Sequence, residues 1–137
     1  MKKPVCISRE LQAIIPKRQL TAITESVEEH KKIINRLEKR LKKIPRYDET
    51  REFNLPAQAI FHYSDCTSDY YICEYDPENE IMFGYILNND DLDSSDWAAV
   101  YVPYLLEPVC MNIDFYFKEQ GVIAAVNKKY PDYIEKL

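Results

Sequence analysis

Four carboxylates crowd into one short polar segment of this sequence. Residues 88–96 read Asn-Asn-Asp-Asp-Leu-Asp-Ser-Ser-Asp and contain Asp90, Asp91, Asp93 and Asp96. The segment lacks the glycine and the terminal glutamate of a twelve-residue calcium loop. A close run of carboxylates can instead present negative charge to a groove rich in Arg and Lys, as a nucleic-acid strand would. We therefore predict that these four residues bind a partner, with an ordinary solvated loop as the alternative.

Positive charge gathers in a second segment, residues 31–46, which holds eight Lys or Arg against one acid. The rest of the chain from residue 47 is acidic, with five bases against eighteen acids, so unlike patches could steer unlike partners. Each Lys or Arg that neutralises a phosphate releases a counterion and adds affinity for nucleic acid. A solvated helix face and a contact with a partner helix are the other interpretations. The residues predicted to contact nucleic acid are Lys32, Arg36, Lys39, Arg40 and Lys43.

Nucleophilic catalysis would need a Ser or Cys beside a base and an orienting group. Cys66 and His62 are the pair closest in sequence, but four residues along a strand span about 13 Å, so the two would need a turn to meet. His30 falls on an apolar helix stripe, where a packed histidine is expected. We expect His62 to face solvent or to make a hydrogen bond, and we predict no catalytic residue.

No metal signature stands out either. The cysteines, which form no C-x-x-C pair, are Cys6, Cys66, Cys73 and Cys110. We expect four reduced thiols, most of them buried as small hydrophobic side chains. A two-metal nuclease site built on Asp65, Asp69 and Glu74 is the alternative. The two glycines are isolated, which excludes a Gly-rich phosphate loop. We predict no metal and no cofactor.

The composition is typical of a folded chain. Of its 137 residues 46% are hydrophobic and eleven are Tyr, which excludes a disordered protein. A chain of this length buries roughly two-thirds of the surface that it exposes when unfolded, so a single domain over residues 1–137 is predicted. No apolar run reaches the ~20 residues that cross a bilayer, and no signal peptide is recognised. We expect a cytoplasmic protein without membrane contact.

Hydrophobic spacing places the basic residues on a helix. From residue 21 to residue 44, stripe positions recur at alternating steps of three and four, at Val27, His30, Ile34, Leu37, Leu41 and Ile44. This spacing predicts one long helix with a single apolar face, ended by Pro45. An exposed stripe of this size would be a large apolar patch, so we expect it to be buried within the domain or in a homodimer. The N-terminal part, residues 1–46, is therefore predicted to be helical.

Beyond residue 56 the hydrophobic period changes from 3.6 to 2. Five strands are predicted, over residues 59–63, 70–75, 81–87, 97–102 and 112–117, with a hairpin turn at 76–79. Residues 47–56 read as a polar connection, and 119–129 as a helix. The prediction is an α+β fold: an antiparallel sheet of four or five strands within residues 58–117, a long N-terminal helix, and a shorter C-terminal helix within 118–137. The helices are expected on one face of the sheet.

The strand motifs from about residue 60 to residue 117 resemble a known bacterial family. In order, they are Glu74-Tyr75-Asp76-Pro77-Glu78, Phe83-Gly84-Tyr85-Ile86, a strand led by Trp97, and Ile113-Asp114-Phe115-Tyr116-Phe117. This order resembles the domain of unknown function catalogued as DUF 2958. The resemblance implies a setting on plasmids and other mobile elements, and it brings no catalytic residues to carry over.

The acidic segment and this resemblance together favour a non-enzymatic accessory protein of a plasmid or phage. It is expected to bind a basic, nucleic-acid-handling protein, which would suit the inhibition of a host defence system. One alternative is a small nucleic-acid-binding protein that uses residues 31–46. Another is a hydrolase or nuclease whose site the sequence does not locate.

Overall fold

The computed structural model describes residues 6–46, 58–131 and 133. The polar connection predicted over residues 47–56 lies outside this part of the chain. Within the described residues, five α-helices accompany a five-stranded antiparallel sheet, so the mixed α+β architecture is confirmed. No helix of the described part is both long and apolar enough to cross a membrane.

Within residues 6–46 three helices precede the sheet: α1 over Arg9–Gln12, α2 over Lys17–Glu25 and α3 over Lys31–Lys43. The Ser8 hydroxyl caps α1, because its oxygen accepts a hydrogen bond from the Leu11 backbone N–H at 3.1 Å. The same hydroxyl donates to Glu38 on α3 at 2.6 Å. A single polar side chain thus starts the first helix and ties it to the third.

The single long helix predicted over residues 21–44 must be corrected to two helices. Ser26 leaves the helical region, with φ −142° and ψ 57°. Its hydroxyl bonds the Ala22 carbonyl oxygen at 3.4 Å, a local bond of the kind that competes with helix continuation. The His30 ring lies 2.9 Å from the Ser26 carbonyl oxygen, which holds the turn between α2 and α3.

The apolar stripe nevertheless packs inside the chain. Leu37 is fully buried and Leu41 is 4% exposed, so the predicted burial of both is confirmed. Val27 and His30, which the hydrophobic spacing assigns to the stripe, lie in the turn between α2 and α3 and are half-exposed. A homodimer through this helix stays a prediction, and it would have to leave the packed leucines in place.

In the described part of the chain seven strands follow: β1 Gln58–Ala59, β2 Phe61–Ser64, β3 Ser68–Asp76, β4 Ile81–Asn88, β5 Asp96–Tyr101, β6 Asn112–Ile113 and β7 Gln120–Gly121. The main sheet has the order β5-β4-β3-β2-β6, and each neighbouring pair is antiparallel. β1 and β7 form a separate two-stranded ribbon. The predicted antiparallel sheet of four or five strands is therefore confirmed.

β3 carries a bulge opposite β4, where the register shifts between Ile72 and Glu74. Gly84 lies across from this irregularity, and a Cβ built on it would clash with the Tyr71 carbonyl oxygen. The close approach of the two backbones at this point requires the absence of a side chain at residue 84.

Both faces of the main sheet are covered, so the expectation of helices on one face is wrong. On the first face, Phe61, Tyr63 and Met82 belong to one buried cluster with the apolar residues of α1, α2 and α3. On the second face, buried strand side chains pack with the helix α5, Val122–Lys129. Alternate residues of each strand therefore serve two cores.

The C-terminal elements are shorter than predicted. The strand expected over residues 112–117 stops at Ile113, because Asp114 starts a turn: its carboxylate accepts a hydrogen bond from the Tyr116 backbone N–H at 2.9 Å. The helix expected over 119–129 begins only at Val122. A four-residue helix, α4 over Val102–Leu105, follows β5.

Candidate functional site

The acidic segment forms the connection between β4 and β5, and all four of its aspartates are exposed. They are Asp90, Asp91, Asp93 and Asp96. Among the described residues, no Lys, Arg or His lies within ion-pair distance of these four carboxylates. Three of the four predicted partner-binding residues thus lie on one surface loop and Asp96 is the first residue of β5; we call residues 88–96 the acidic loop.

The acidic loop is folded by its own polar side chains. The Asn88 side-chain oxygen accepts hydrogen bonds from the backbone N–H groups of Asp90 and Asp91, at 3.1 and 3.3 Å. The Asn88 amide group donates to the Ser94 hydroxyl at 2.9 Å, and the Ser95 hydroxyl accepts from the Asn88 backbone at 2.8 Å. Asparagine and serine, rather than the carboxylates, therefore set most of the loop conformation.

A second set of bonds anchors the start of the loop to the body of the protein. The Asn89 amide nitrogen donates to Asp69 on β3 at 3.0 Å, and the Tyr130 hydroxyl after α5 donates to the Asn89 side-chain oxygen at 2.8 Å. The Asn89 backbone N–H donates to the Thr67 carbonyl oxygen at 2.8 Å. Two separate parts of the chain, the start of β3 and the segment after α5, hold this one asparagine.

The middle of the loop is anchored as well. The Tyr133 hydroxyl donates to the Leu92 carbonyl oxygen at 2.9 Å and lies 3.0 Å from the Tyr85 hydroxyl. Burial, together with the hydrogen bond to Tyr133, raises the pKa of Tyr85 well above its usual value. Leu92 packs against the buried cluster on this face of the sheet. The loop is thus fixed at its start and at its centre.

Beneath the loop lies a buried ionic cluster centred on Asp69, whose residue is 5% exposed. Its two carboxylate oxygens lie 2.8 Å from His62 Nε2 and 2.6 Å from Lys129 Nζ. Burial alone would raise the pKa of Asp69, but the bonds from His62, Lys129 and Asn89 outweigh it and hold the pKa well below the usual range. Asp69 therefore remains ionised, as the anchor for Asn89.

The His62 side chain has contacts at both ring nitrogens and on its ring face. Its Nε2 meets Asp69, and its Nδ1 lies 3.5 Å from an oxygen of Asp114. The ring stacks on Tyr71 with centroids 4.8 Å apart and planes inclined by 9°. Both ring nitrogens face carboxylates, so His62 is not arranged as a base for Cys66.

The three acids considered for a two-metal site do not converge. Asp65 accepts hydrogen bonds from the backbone N–H groups of Thr67 and Ser68, and these bonds outweigh partial burial to lower its pKa. Asp69 is occupied in the ionic cluster, and Glu74 is fully buried. Within the described part of the chain, no group of three or more His, Cys, Asp or Glu side chains is placed to hold a metal ion.

The basic helix α3 presents a cationic face, but its two arginines make contacts with the rest of the fold. Arg40 is 7% exposed and pairs with Glu119 at 3.3 Å, and burial lowers its pKa. Arg36 is exposed, yet it donates to the Phe115 carbonyl oxygen at 3.2 Å. Lys32, Lys39 and Lys43 are exposed. Three of the five predicted nucleic-acid contacts are therefore open to solvent without a described partner, while Arg40 serves the fold.

Sequence reasoning missed the ionic cluster. Asp69, Asn89 and Lys129 are far apart in the chain, and no sequence pattern links them. The only local signal is that Asp69 and Tyr71 alternate on β3, which places the carboxylate on the same face as a buried tyrosine.

In comparisons with known proteins, no protein-family model matches this chain, and no curated protein or solved structure gives a significant match. The resemblance to DUF 2958 therefore stays a prediction.

Proposed function

We propose that this chain is a non-enzymatic binding protein that presents its acidic loop to a basic surface of a partner protein. The single observation that carries the proposal is that one set of side chains folds the loop and another set carries its charge. Asparagine, serine and tyrosine side chains make its anchoring bonds, while the side chains of Asp90, Asp91 and Asp93 make no hydrogen bond to another described residue.

The carboxylates of Asp90, Asp91 and Asp93 do not stabilise the fold. Like charges in a short loop repel one another, and none of the four is offset by a described cation. A loop that keeps this repulsion in a fixed conformation fits a recognition role, because a pre-organised surface loses less entropy when it binds. Fixed negative charge also accelerates encounter with a positive patch and disfavours acidic competitors.

The chemistry of the partner follows from the loop. A row of closely spaced carboxylates complements a groove lined with Arg and Lys, and proteins that handle nucleic acid carry such grooves. The resemblance to a family of mobile elements supports a plasmid or phage setting, in which the partner would be part of a host defence system. Inhibition would then consist of occupying the groove that the nucleic acid needs.

Affinity capture from the native cell, followed by mass spectrometry, tests this proposal. The wild-type chain should retain a basic protein, and Asp90→Lys with Asp93→Lys should lose it. Glu28→Lys with Glu29→Lys is the matched control, since both glutamates are exposed and the change in charge is the same. Loss of the captured protein with both variants would indicate a response to net charge alone and would refute a loop-specific contact.

A second function is supported by the outer face of α3. Lys31, Lys32, Lys39, Lys42 and Lys43 are all exposed on this thirteen-residue helix. The one acid of the helix, Glu38, is half-buried and takes the hydrogen bond of Ser8. A helix surface with five exposed lysines is suited to a phosphate backbone.

Nucleic-acid binding would be recognised by its salt dependence. Titration of labelled DNA and RNA at several salt concentrations should give a steep loss of affinity, which Lys39→Glu with Lys43→Glu abolishes. Lys118→Glu with Lys128→Glu, at two exposed lysines elsewhere, is the control and should have a small effect. Metal-dependent turnover of single-stranded DNA in the same samples would instead favour the hydrolase alternative.

A further inference from the structure

Two cysteines that are far apart in the sequence meet beside β2. Cys66 lies in the turn between β2 and β3 and is exposed, and Cys110 lies between α4 and β6 and is half-exposed. Their side chains are in hydrogen-bonding contact, and both thiols are free. Of the four cysteines Cys73 alone is buried, so the expectation that most of them are buried is wrong.

The strand register explains the meeting. β2 and β6 are antiparallel, with Tyr63 opposite Ile113 and Ser64 opposite Asn112. Cys66 lies two residues beyond Ser64, and Cys110 lies two residues before Asn112, so this pairing brings the two turns that carry the cysteines side by side. A disulfide needs Cα atoms about 4.4 to 6.8 Å apart and side chains directed at each other. The contact between the Cys66 and Cys110 side chains shows that the two turns already hold the thiols next to each other.

We propose that Cys66 and Cys110 are a modification site: they form a reversible intramolecular disulfide by exchange with a small-molecule disulfide such as oxidised glutathione. Exposure makes Cys66 the first residue to react, and Cys110 is the neighbour that resolves the mixed disulfide. The site is independent of the proposed partner binding, because none of its residues belongs to the acidic loop.

The exchange is balanced in two steps. In the first, the Cys66 thiolate attacks one sulfur of oxidised glutathione, the glutathione S–S bond breaks, and one glutathione leaves as a thiolate that takes a proton from water. In the second, the Cys110 thiolate attacks the Cys66 sulfur and expels the second glutathione. Two protein thiols are oxidised to one disulfide, and one glutathione disulfide is reduced to two thiols.

The same contact sets the pH dependence of the exchange. The hydrogen bond with Cys110 raises the pKa of Cys66, so only a small fraction of Cys66 is thiolate near neutral pH. Since the thiolate is the attacking species, the rate should rise as the pH increases toward that pKa. Other groups facing the pair are the Asp65 carboxylate and the Tyr70 hydroxyl, which are hydrogen-bonded to one another at 2.9 Å.

Oxidation would cross-link two turns at the surface. The disulfide would close a loop of about 45 residues, from the turn after β2 to the segment after α4. That segment includes Val109, which is 90% exposed. Cross-links of long loops remove conformational freedom mainly from the unfolded chain, so the folded state gains stability.

The test uses the full-length protein, reduced and then incubated with oxidised glutathione. Intact mass should fall by two hydrogen atoms, and a non-reducing digest should contain the peptide pair linked through Cys66 and Cys110. Free thiols should drop from four to two, and the melting temperature should rise by on the order of 10 °C, reversed by a reductant. The reaction should be faster at alkaline pH.

Three variants make the test specific. Cys6→Ser, at an exposed cysteine outside the pair, should oxidise like the wild type. Cys110→Ser should stop at a stable glutathione adduct on Cys66, and Cys66→Ser should form no cross-link. A persistent adduct in the wild type, a disulfide between two chains, or a linkage that involves Cys6 or Cys73 would each overturn the proposal.

Discussion

Replacing Asp69 with Asn should weaken both the fold and the anchoring of the acidic loop. The variant keeps the size of the side chain but removes the negative charge that Lys129 and His62 approach at 2.6 and 2.8 Å. It also replaces one acceptor oxygen with an NH2 group, which cannot accept a bond from Lys129 or from Asn89. A 5% exposed position gives little room for water to substitute.

The magnitude follows from the environment of each partner. Removing one member of a buried ion pair costs about 3–5 kcal/mol, because the remaining charge is left without compensation. The Lys129 side chain is 44% exposed and can be partly resolvated, so the lower end of that range applies. We expect Asp69→Asn to lower the free energy of unfolding by about 3 kcal/mol, a fall in melting temperature of roughly 10 °C for a chain of this length.

Urea unfolding of a double-mutant cycle measures this effect. Asp69→Asn, Lys129→Met and the double variant should give a combined loss smaller than the sum of the single losses by at least about 1 kcal/mol. Hydrogen exchange at the Asn89 backbone amide should accelerate in Asp69→Asn. A loss below about 1 kcal/mol, with additive single variants, would refute the view that this cluster supports the loop.

The same carboxylate predicts an acid dependence. Its pKa is lower in the folded state than the unfolded value near 4, so the stabilisation is present above pH about 4 and is lost as the pH falls toward the folded pKa. Stability measured between pH 5 and pH 2 should therefore fall less steeply in Asp69→Asn than in the wild type. Parallel curves of stability against pH for the two proteins would contradict a lowered pKa of Asp69 in the folded state.

Two substitutions at tightly packed positions should destabilise the protein, whereas their matched controls should not. Leu37→Asp places a charge at a fully buried position and should leave the protein unfolded in a circular-dichroism melt, whereas Asn35→Asp on the exposed side of α3 should melt as the wild type does. Gly84→Ala should lower the free energy of unfolding by about 1–3 kcal/mol, because the new Cβ meets the backbone of Tyr71. Gly121→Ala, at a residue with φ −59°, should leave the free energy of unfolding nearly unchanged. Equal melting temperatures for the two variants would contradict the close approach of the backbones at Gly84.

The sheet was predictable because its strands carry a period that tertiary contacts reinforce. β4 alternates buried and less buried residues along most of its length, and β3 does so over its first four residues. The turn between them begins with Asp76, whose carboxylate accepts hydrogen bonds from the backbone of Glu78 and Asn79. Such signals are local, so they can be read from the sequence.

The helix break and the ionic cluster could not be predicted, because the sequence carries no local signal that specifies either of them. Ser26 ends α2 through its own backbone angles, while the stripe on either side of it stays in phase, so periodicity alone reports one helix. Asp114 ends β6 inside an aromatic run that reads as strand. The partners of Asp69 come from three distant elements, and only the folded register brings them together. The acidic loop itself was located correctly because its signal is composition.

The central claim is that the acidic loop, and not the basic helix, makes the contact with a partner. Its most direct test is the affinity of the captured partner for three folded variants with the same melting temperature as the wild type. Asp90→Lys with Asp93→Lys should weaken binding more than about tenfold, because repulsion replaces attraction in the contact. Lys39→Glu with Lys43→Glu, and the control Glu28→Lys with Glu29→Lys, should each change it by less than about threefold. If the basic-helix pair destroys binding while the acidic-loop pair leaves it intact, the account is wrong.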